Sequence, residues 1–146
     1  MIESRQIRRA TEQDCWVLYR MLCELEGQAL EKNAFEEVFK INLANESIIY
    51  MIAEIDGRPI GMASCHMQWL LHHAGRVAEI QEMFVEPTFR SKGIGKDLVI
   101  ELADFARAAG ALHMEVTSNR IRLDTHRFYE KEGFVNTHFK LIRKFI

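Results

Sequence analysis

No apolar run in this chain approaches the roughly 20 residues that a membrane-spanning helix needs. A helical membrane protein is therefore not expected. Proline is scarce, with 2 residues, and there is no low-complexity tract, internal repeat or linker. That is not the composition of a disordered chain. Neither sign of charge dominates: 19 basic and 21 acidic residues leave a formal charge of −2. Bulk electrostatics gives no reason to expect a nucleic-acid or membrane-surface partner, so any anion site must be local. The 3 cysteines, Cys15, Cys23 and Cys65, are odd in number and lack metal-ligand spacing. They read as reduced, buried thiols of a cytoplasmic protein. The stretch "MIESRQIRRATEQD" lacks the apolar run of a signal peptide, which agrees with that location.

What remains is a chain of 146 residues with 48% hydrophobic content, enough for one domain spanning 1–146 with a real core. "QIRRAT" reads as a first strand. Thr11 or Asp14 is placed to cap a helix carrying Val17, Leu18, Met21, Leu22 and Leu25, with Gly27 as its stop. A second helix fits "NAFEEVFKINLAN". The period then changes, and Asp56-Gly57 between two apolar runs signals a hairpin. "RVAEIQEMFVEP" reads as a further strand ended by Pro87. Ile94, Leu98, Leu102, Phe105 and Ala109 mark a helix. "ALHMEVTSN" follows as a strand, "LDTHRFYEKEGF" as a short helix stopped by Gly133, and "NTHFKLIRKFI" as a last strand. This order predicts an α/β or α+β domain built on one mixed sheet.

"RSKGIGKDL", from Arg90 to Leu98, lies where a strand gives way to a helix. Such a junction presents unpaired N–H groups and the positive end of a helix dipole. Gly93 and Gly95 allow close approach of an anion, and Arg90, Lys92 and Lys96 add charge. The loop is not a Walker A motif: Arg90 stands where the first glycine belongs and Asp97 follows Lys96. It is not a dinucleotide fingerprint either, because Leu98 replaces the last glycine. By itself it could also be an ordinary helix start with solvated lysines.

The flanking segments bring a resemblance. "RSKGIG", after "EMFVEP" and before an amphipathic helix, resembles the pyrophosphate loop of the GCN5-related N-acetyltransferases. "HRFYEKEGF" is similar to that family's Phe-Tyr-x-x-x-Gly-Phe segment. The order of elements also matches that family's fold, a single, mainly antiparallel mixed sheet flanked by helices. Ser91 departs from the glycine often found after the arginine. Within the family, "CELEGQALEKNAFEEVFKINL", "LLHHAGRVAEIQEMFVEP" and "THRFYEKEGFVNTHF" look like the bacterial aminoalkylphosphonate N-acetyltransferases.

The resemblance implies acetyl-CoA as co-substrate and a small-molecule amine as acceptor. Its pyrophosphate would sit on Arg90, Ser91, Lys92, Gly93, Ile94, Gly95 and Lys96. Met83, Phe84 and Val85 would pair with the pantetheine arm like an added strand, and the Phe84 N–H would meet the oxyanion. Asn119 could touch the CoA arm. An alkylammonium must lose a proton before it attacks. Glu79 is the first choice of base and Glu82 the second; a bulge in this strand would shift the phase, so alternation does not decide which faces the cleft. Tyr129 suits the acid that protonates the leaving thiolate.

A phosphonate acceptor would need converging cations. His66, His72, His73 and Arg76 precede Glu79 in the chain, and His126 and Arg127 accompany Tyr129. A divalent ion held by His72 and His73 and bridging protein and phosphonate is a further option, although His66 to His73 lacks a compact metal-ligand spacing and no firm carboxylate completes a set. Adjacent strand residues point to opposite faces, so Cys65 and His66 are not a nucleophile–base pair. Other acceptors, namely polyamines, aminoglycosides or peptides, and a non-catalytic acetyl-CoA-binding module remain alternatives. The apolar "FKLIRKFI" either pairs across a homodimer or fills the core.

Overall fold

The computed structural model describes residues 3–119 and 122–146. The elements are β1 (Arg5–Arg9), α1 (Cys15–Glu26), α2 (Lys32–Leu43), β2 (Ile48–Ile55), β3 (Arg58–Leu70), β4 (Gly75–Val85), α3 (Ile94–Ala108), β5 (Met114–Val116) and α4 (Leu123–Lys131). The five strands form one sheet in the order β1-β2-β3-β4-β5. All neighbours are antiparallel except β4 and β5, which run parallel.

Local chemistry explains most boundaries. Asp14 stands at the N-cap position of α1, but its carboxylate turns back to accept from the Thr11 N–H at 2.7 Å and is clamped by Arg8, whose two terminal nitrogens each lie 2.8 Å from it. Gly27 ends α1 at φ +70°, where a side chain would be strained. Glu31 caps α2 by accepting from the N–H groups of Asn33 and Ala34. Asp56 and Gly57, both at positive φ, form the two-residue turn between β2 and β3.

The sheet is covered on both faces, which is why β2 reads as a nearly continuous apolar run. Met51, Ala53, Ile55, Ala63, Cys65, Ala78 and Ile80 face α3, which contributes the stripe Ile94, Leu98, Leu102 and Ala106 at helical spacing. Each fully buried Leu or Ile contributes about 1.5–3 kcal/mol. Ile52, Met62 and Phe84 face α1 and α2, meeting Leu18, Met21 and Phe39. No helix among the described residues is long and apolar enough to cross a membrane.

The expected last strand is a correction. Residues 134–146 carry no regular structure, and Phe139, Leu141 and Phe145 are almost fully exposed. A strand needs a partner edge as well as alternating side chains. β5 pairs over only three residues, and none of the described residues joins its outer side.

Candidate active site

The opening between β4 and β5 defines the site. Their pairing covers Ala78–Ile80 against Met114–Val116 and then stops. Among the described residues, no strand borders the outer edge of β4 from Gln81 to Val85. The Glu86 N–H donates to Ile60 O at 2.8 Å, toward β3. Strand amides alternate in direction, so the Phe84 N–H also points to β3. The N–H groups of Met83 and Val85 then face the open edge. The Val85 carbonyl, on that edge, accepts from Arg90 Nε at 2.8 Å.

The anion loop lies at the end of this edge. Gly93, at φ +87°, is the N-cap of α3, and the first intrahelical bond runs from Asp97 N–H to Gly93 O. The N–H groups of Ile94, Gly95 and Lys96 therefore have no acceptor within the helix. Arg5 ties the loop to β1 through the Lys92 carbonyl at 2.8 Å. Ser91 sits at φ +61°, the left-handed region that favours glycine, and so explains the glycine often found there. A Cβ on Gly95 would stand 3.2 Å from the Phe128 ring, because α4 closes over this turn.

On the α3 face, Tyr129 is buried and its hydroxyl donates weakly to Met83 Sδ at 3.9 Å. Burial pushes its phenol up to about 12. Asn119 precedes α4, and its carbonyl accepts from Arg122 N–H and lies 2.8 Å from His126 Nε2. Arg127 lies on the exposed side of α4, 3.5 Å from Asp124.

On the opposite face, a cavity of about 480 Å³ opens between the sheet and α1–α2. Leu22, Phe35 and Phe39 supply apolar walls; Asn42, Tyr50, His66, Gln81 and Glu82 supply polar groups. Asn42 donates to the Tyr50 hydroxyl at 2.8 Å. The Tyr50 phenol is raised, chiefly by burial, with Asn42 opposing and the Glu82 charge adding.

A bulge determines which carboxylates reach this face. Cys65 pairs with Ile80 but Ser64 pairs with Glu82, leaving Gln81 as the extra residue. Met62, Ser64 and His66 share one face of β3, and their partners are Phe84, Glu82 and Glu79. Glu79 and Glu82 therefore lie on the same face despite their odd separation. Ser64 Oγ donates to Glu82 and accepts from the Glu82 N–H at 3.0 Å. Glu82 lines the cavity. Glu79 lies toward β5 and accepts from Gln81 and Thr117.

The remaining cations separate. His66 lines the cavity. Arg76 donates to the Ala109 carbonyl and Ser47 Oγ and packs over Trp69. His72 and His73 occupy the turn between β3 and β4, their rings 4.2 Å apart. Among the described residues, no arginine or lysine lines the cavity. Sequence reasoning missed Asn42, Tyr50, Ser64 and Gln81, whose roles depend on the bulge and on where α2 packs.

An open strand edge that ends in a helix-capping anion loop suits a CoA thioester. The comparisons agree. The model of the acetyltransferase (GNAT) family matches residues 13–134. The chain belongs to this family and is an acetyl-CoA-dependent N-acetyltransferase. It is 39% identical over 138 residues to the aminoalkylphosphonate N-acetyltransferase of Salmonella typhimurium, covering 94% of this chain and 90% of that protein. An uncharacterized N-acetyltransferase of Archaeoglobus fulgidus is 32% identical, covering 87% of this chain and 90% of that one. The aminoglycoside N-acetyltransferase AAC(6')-Iy in complex with CoA superimposes with a TM-score of 0.89 over 99% of this chain and 96% of that one. At 18% identity, it shows the shared fold.

Proposed function

We propose that this enzyme acetylates the primary amine of a small aminoalkylphosphonate by direct attack on the acetyl-CoA thioester. The observation that carries direct transfer is the meeting of two approaches at β4. The open edge with its anion loop receives the donor, while the cavity bearing Glu82 receives the acceptor from the opposite face. The substrate class rests on the 39% identity to the Salmonella enzyme across nearly both whole chains.

Glu82 is our choice of base, because it lines the cavity and is oriented by Ser64. Glu79, bonded to Gln81 and Thr117, helps hold the edge. Met83 N–H faces the open edge and is our oxyanion donor in preference to Phe84, with Val85 N–H meeting the pantetheine. Arg90 steadies this edge; Ser91, Lys92, Gly93, Ile94, Gly95 and Lys96 hold the pyrophosphate. Asn119 borders the CoA arm. Tyr129 protonates the leaving thiolate. His66 is the imidazole placed to meet the phosphonate; His72, His73, Arg76 and Arg127 lie outside the cavity lining.

A second reading, a small amine without a phosphonate, is favoured by one observation: among the described residues the cavity lining contains Glu82 but no arginine or lysine. Turnover with aminoalkylphosphonates, polyamines and aminoglycosides separates the two. Glu82→Gln should lower kcat by about 10²-fold or more, most at low pH. Preferred turnover of polyamines would reject the phosphonate assignment, and an unchanged pH–rate profile in Glu82→Gln would reject the base.

We further propose that residues 1–146 act as one catalytic domain in the cytoplasm, where 3 unpaired thiols stay reduced. The exposed apolar side chains of residues 135–146 support pairing of two copies. A monomer in sedimentation equilibrium at micromolar concentration would exclude that pairing.

A further inference from the structure

Across the middle of the sheet, one polar group of the acceptor cavity has no part in the acetyl transfer itself. Tyr50 on β2 pairs with Ser64 on β3, and Ser64 pairs with Glu82 on β4. Paired residues project to the same face, here the one covered by α1 and α2. Tyr50, His66 and Glu82 all line the cavity. Asn42, in the last turn of α2, donates from Nδ2 to the Tyr50 hydroxyl oxygen at 2.8 Å. That bond occupies a lone pair and fixes the oxygen. The hydroxyl proton itself has no acceptor among the described residues. The ring is held against Phe39, with centroids 5.7 Å apart.

We infer that Tyr50, oriented by Asn42, is the residue that recognises the acidic head of the acceptor: its hydroxyl donates to a phosphonate oxygen while the amine lies on Glu82. The inference rests on the aminoalkylphosphonate reading above and names the residue that selects that class. The lengths agree. Two strand spacings separate the Tyr50 and Glu82 backbones, so side chains that rise together stand about 10 Å apart. An extended aminoethylphosphonate spans about 5 Å from its nitrogen to the far phosphonate oxygen. A hydrogen bond of about 2.8 Å at each end brings the total to about 10 Å. His66, paired with Ile48, stands on the diagonal from Tyr50 at about 7–8 Å and is placed for a second phosphonate oxygen.

A phenol in this position also accounts for a phosphonate pocket whose lining, among the described residues, contains no arginine or lysine. A hydrogen bond to an ionised oxygen is roughly twice as strong as a neutral one, whichever partner carries the charge. Burial keeps the Tyr50 phenol above its ordinary value, with Asn42 opposing and the Glu82 charge adding, so it remains a donor at neutral pH. A lysine or arginine in its place would hold the Glu82 carboxylate in an ion pair and make it a weaker base. The phenol binds the acidic end of the acceptor without that cost to the amine end.

The test is steady-state kinetics of wild type and Tyr50→Phe with aminoethylphosphonate and with propylamine, which is close in length but lacks the acid. Phenylalanine keeps the ring against Phe39 and removes only the hydroxyl. The ratio of kcat/KM for aminoethylphosphonate to that for propylamine should fall by about 10–100-fold, mostly through KM. Ethylphosphonate, which has no amine, should compete with the acceptor, and its inhibition constant should rise in Tyr50→Phe by about the same factor. Asn42→Leu, which leaves the hydroxyl but removes the group that orients it, should lower the same ratio by a smaller factor. An unchanged ratio, or an ethylphosphonate inhibition constant equal in wild type and Tyr50→Phe, would make Tyr50 a structural tether between α2 and the sheet and overturn the assignment. A wild-type enzyme that prefers propylamine and is not inhibited by ethylphosphonate would instead overturn the phosphonate reading, and this assignment with it.

Discussion

Replacing Tyr129 by phenylalanine separates a chemical role from a packing role. The side chain is buried between the Phe128 and Phe134 rings, and among the described residues its hydroxyl bonds only to a weak sulfur acceptor, Met83 Sδ. Loss of the hydroxyl should therefore change stability at neutral pH by no more than about 1 kcal/mol. Activity should fall much further. A thiolate is already a fair leaving group near pH 7, so the low end of acid catalysis applies, about 10²-fold in kcat or about 2.7 kcal/mol. Alkaline pH supplies a second, independent readout. The native phenol is held up to about 12 by burial, while an unfolded tyrosine titrates near 10. The unfolded state loses its proton first as pH rises. Stability from this group is thus complete below about pH 10 and is lost progressively up to about pH 12. Near pH 11.5 the loss is about 2 kcal/mol. Urea melts of wild type and Tyr129→Phe across this range should show the variant resisting that part of the decline. A variant with wild-type turnover refutes the acid assignment; parallel alkaline losses refute the burial argument.

Ser91→Gly should raise stability by about 0.5–1 kcal/mol, since relief of the left-handed conformation outweighs the added freedom of the unfolded chain. A lowered urea midpoint would contradict this. Cys65 is buried and its thiol is pushed up to about 11, so the native protein at pH 8 should alkylate at half-buried Cys23 first. Mass mapping that finds Cys65 modified as fast as Cys23 would refute the packing described here.

The sequence by itself determined the elements whose cause is local. The α3 stripe of Ile94, Leu98 and Leu102, the Asp56-Gly57 turn, the Gly27 stop and the anion loop are each legible because 3.6-residue periodicity, positive φ and free helix amides are written in neighbouring residues. The family resemblance followed from "RSKGIG" and "HRFYEKEGF" for the same reason. Tertiary structure decided what depends on register. The single extra residue at Gln81 puts Glu79 and Glu82 on one face, and strand alternation turns Phe84 N–H inward while leaving Met83 N–H on the open edge. It committed Arg76 to Ala109 and Ser47 and brought Glu115 to His73. It also left "NTHFKLIRKFI" without a strand partner among the described residues. A side chain's neighbours across a sheet are set by pairing between distant segments, and one inserted residue reverses the face of everything beyond it.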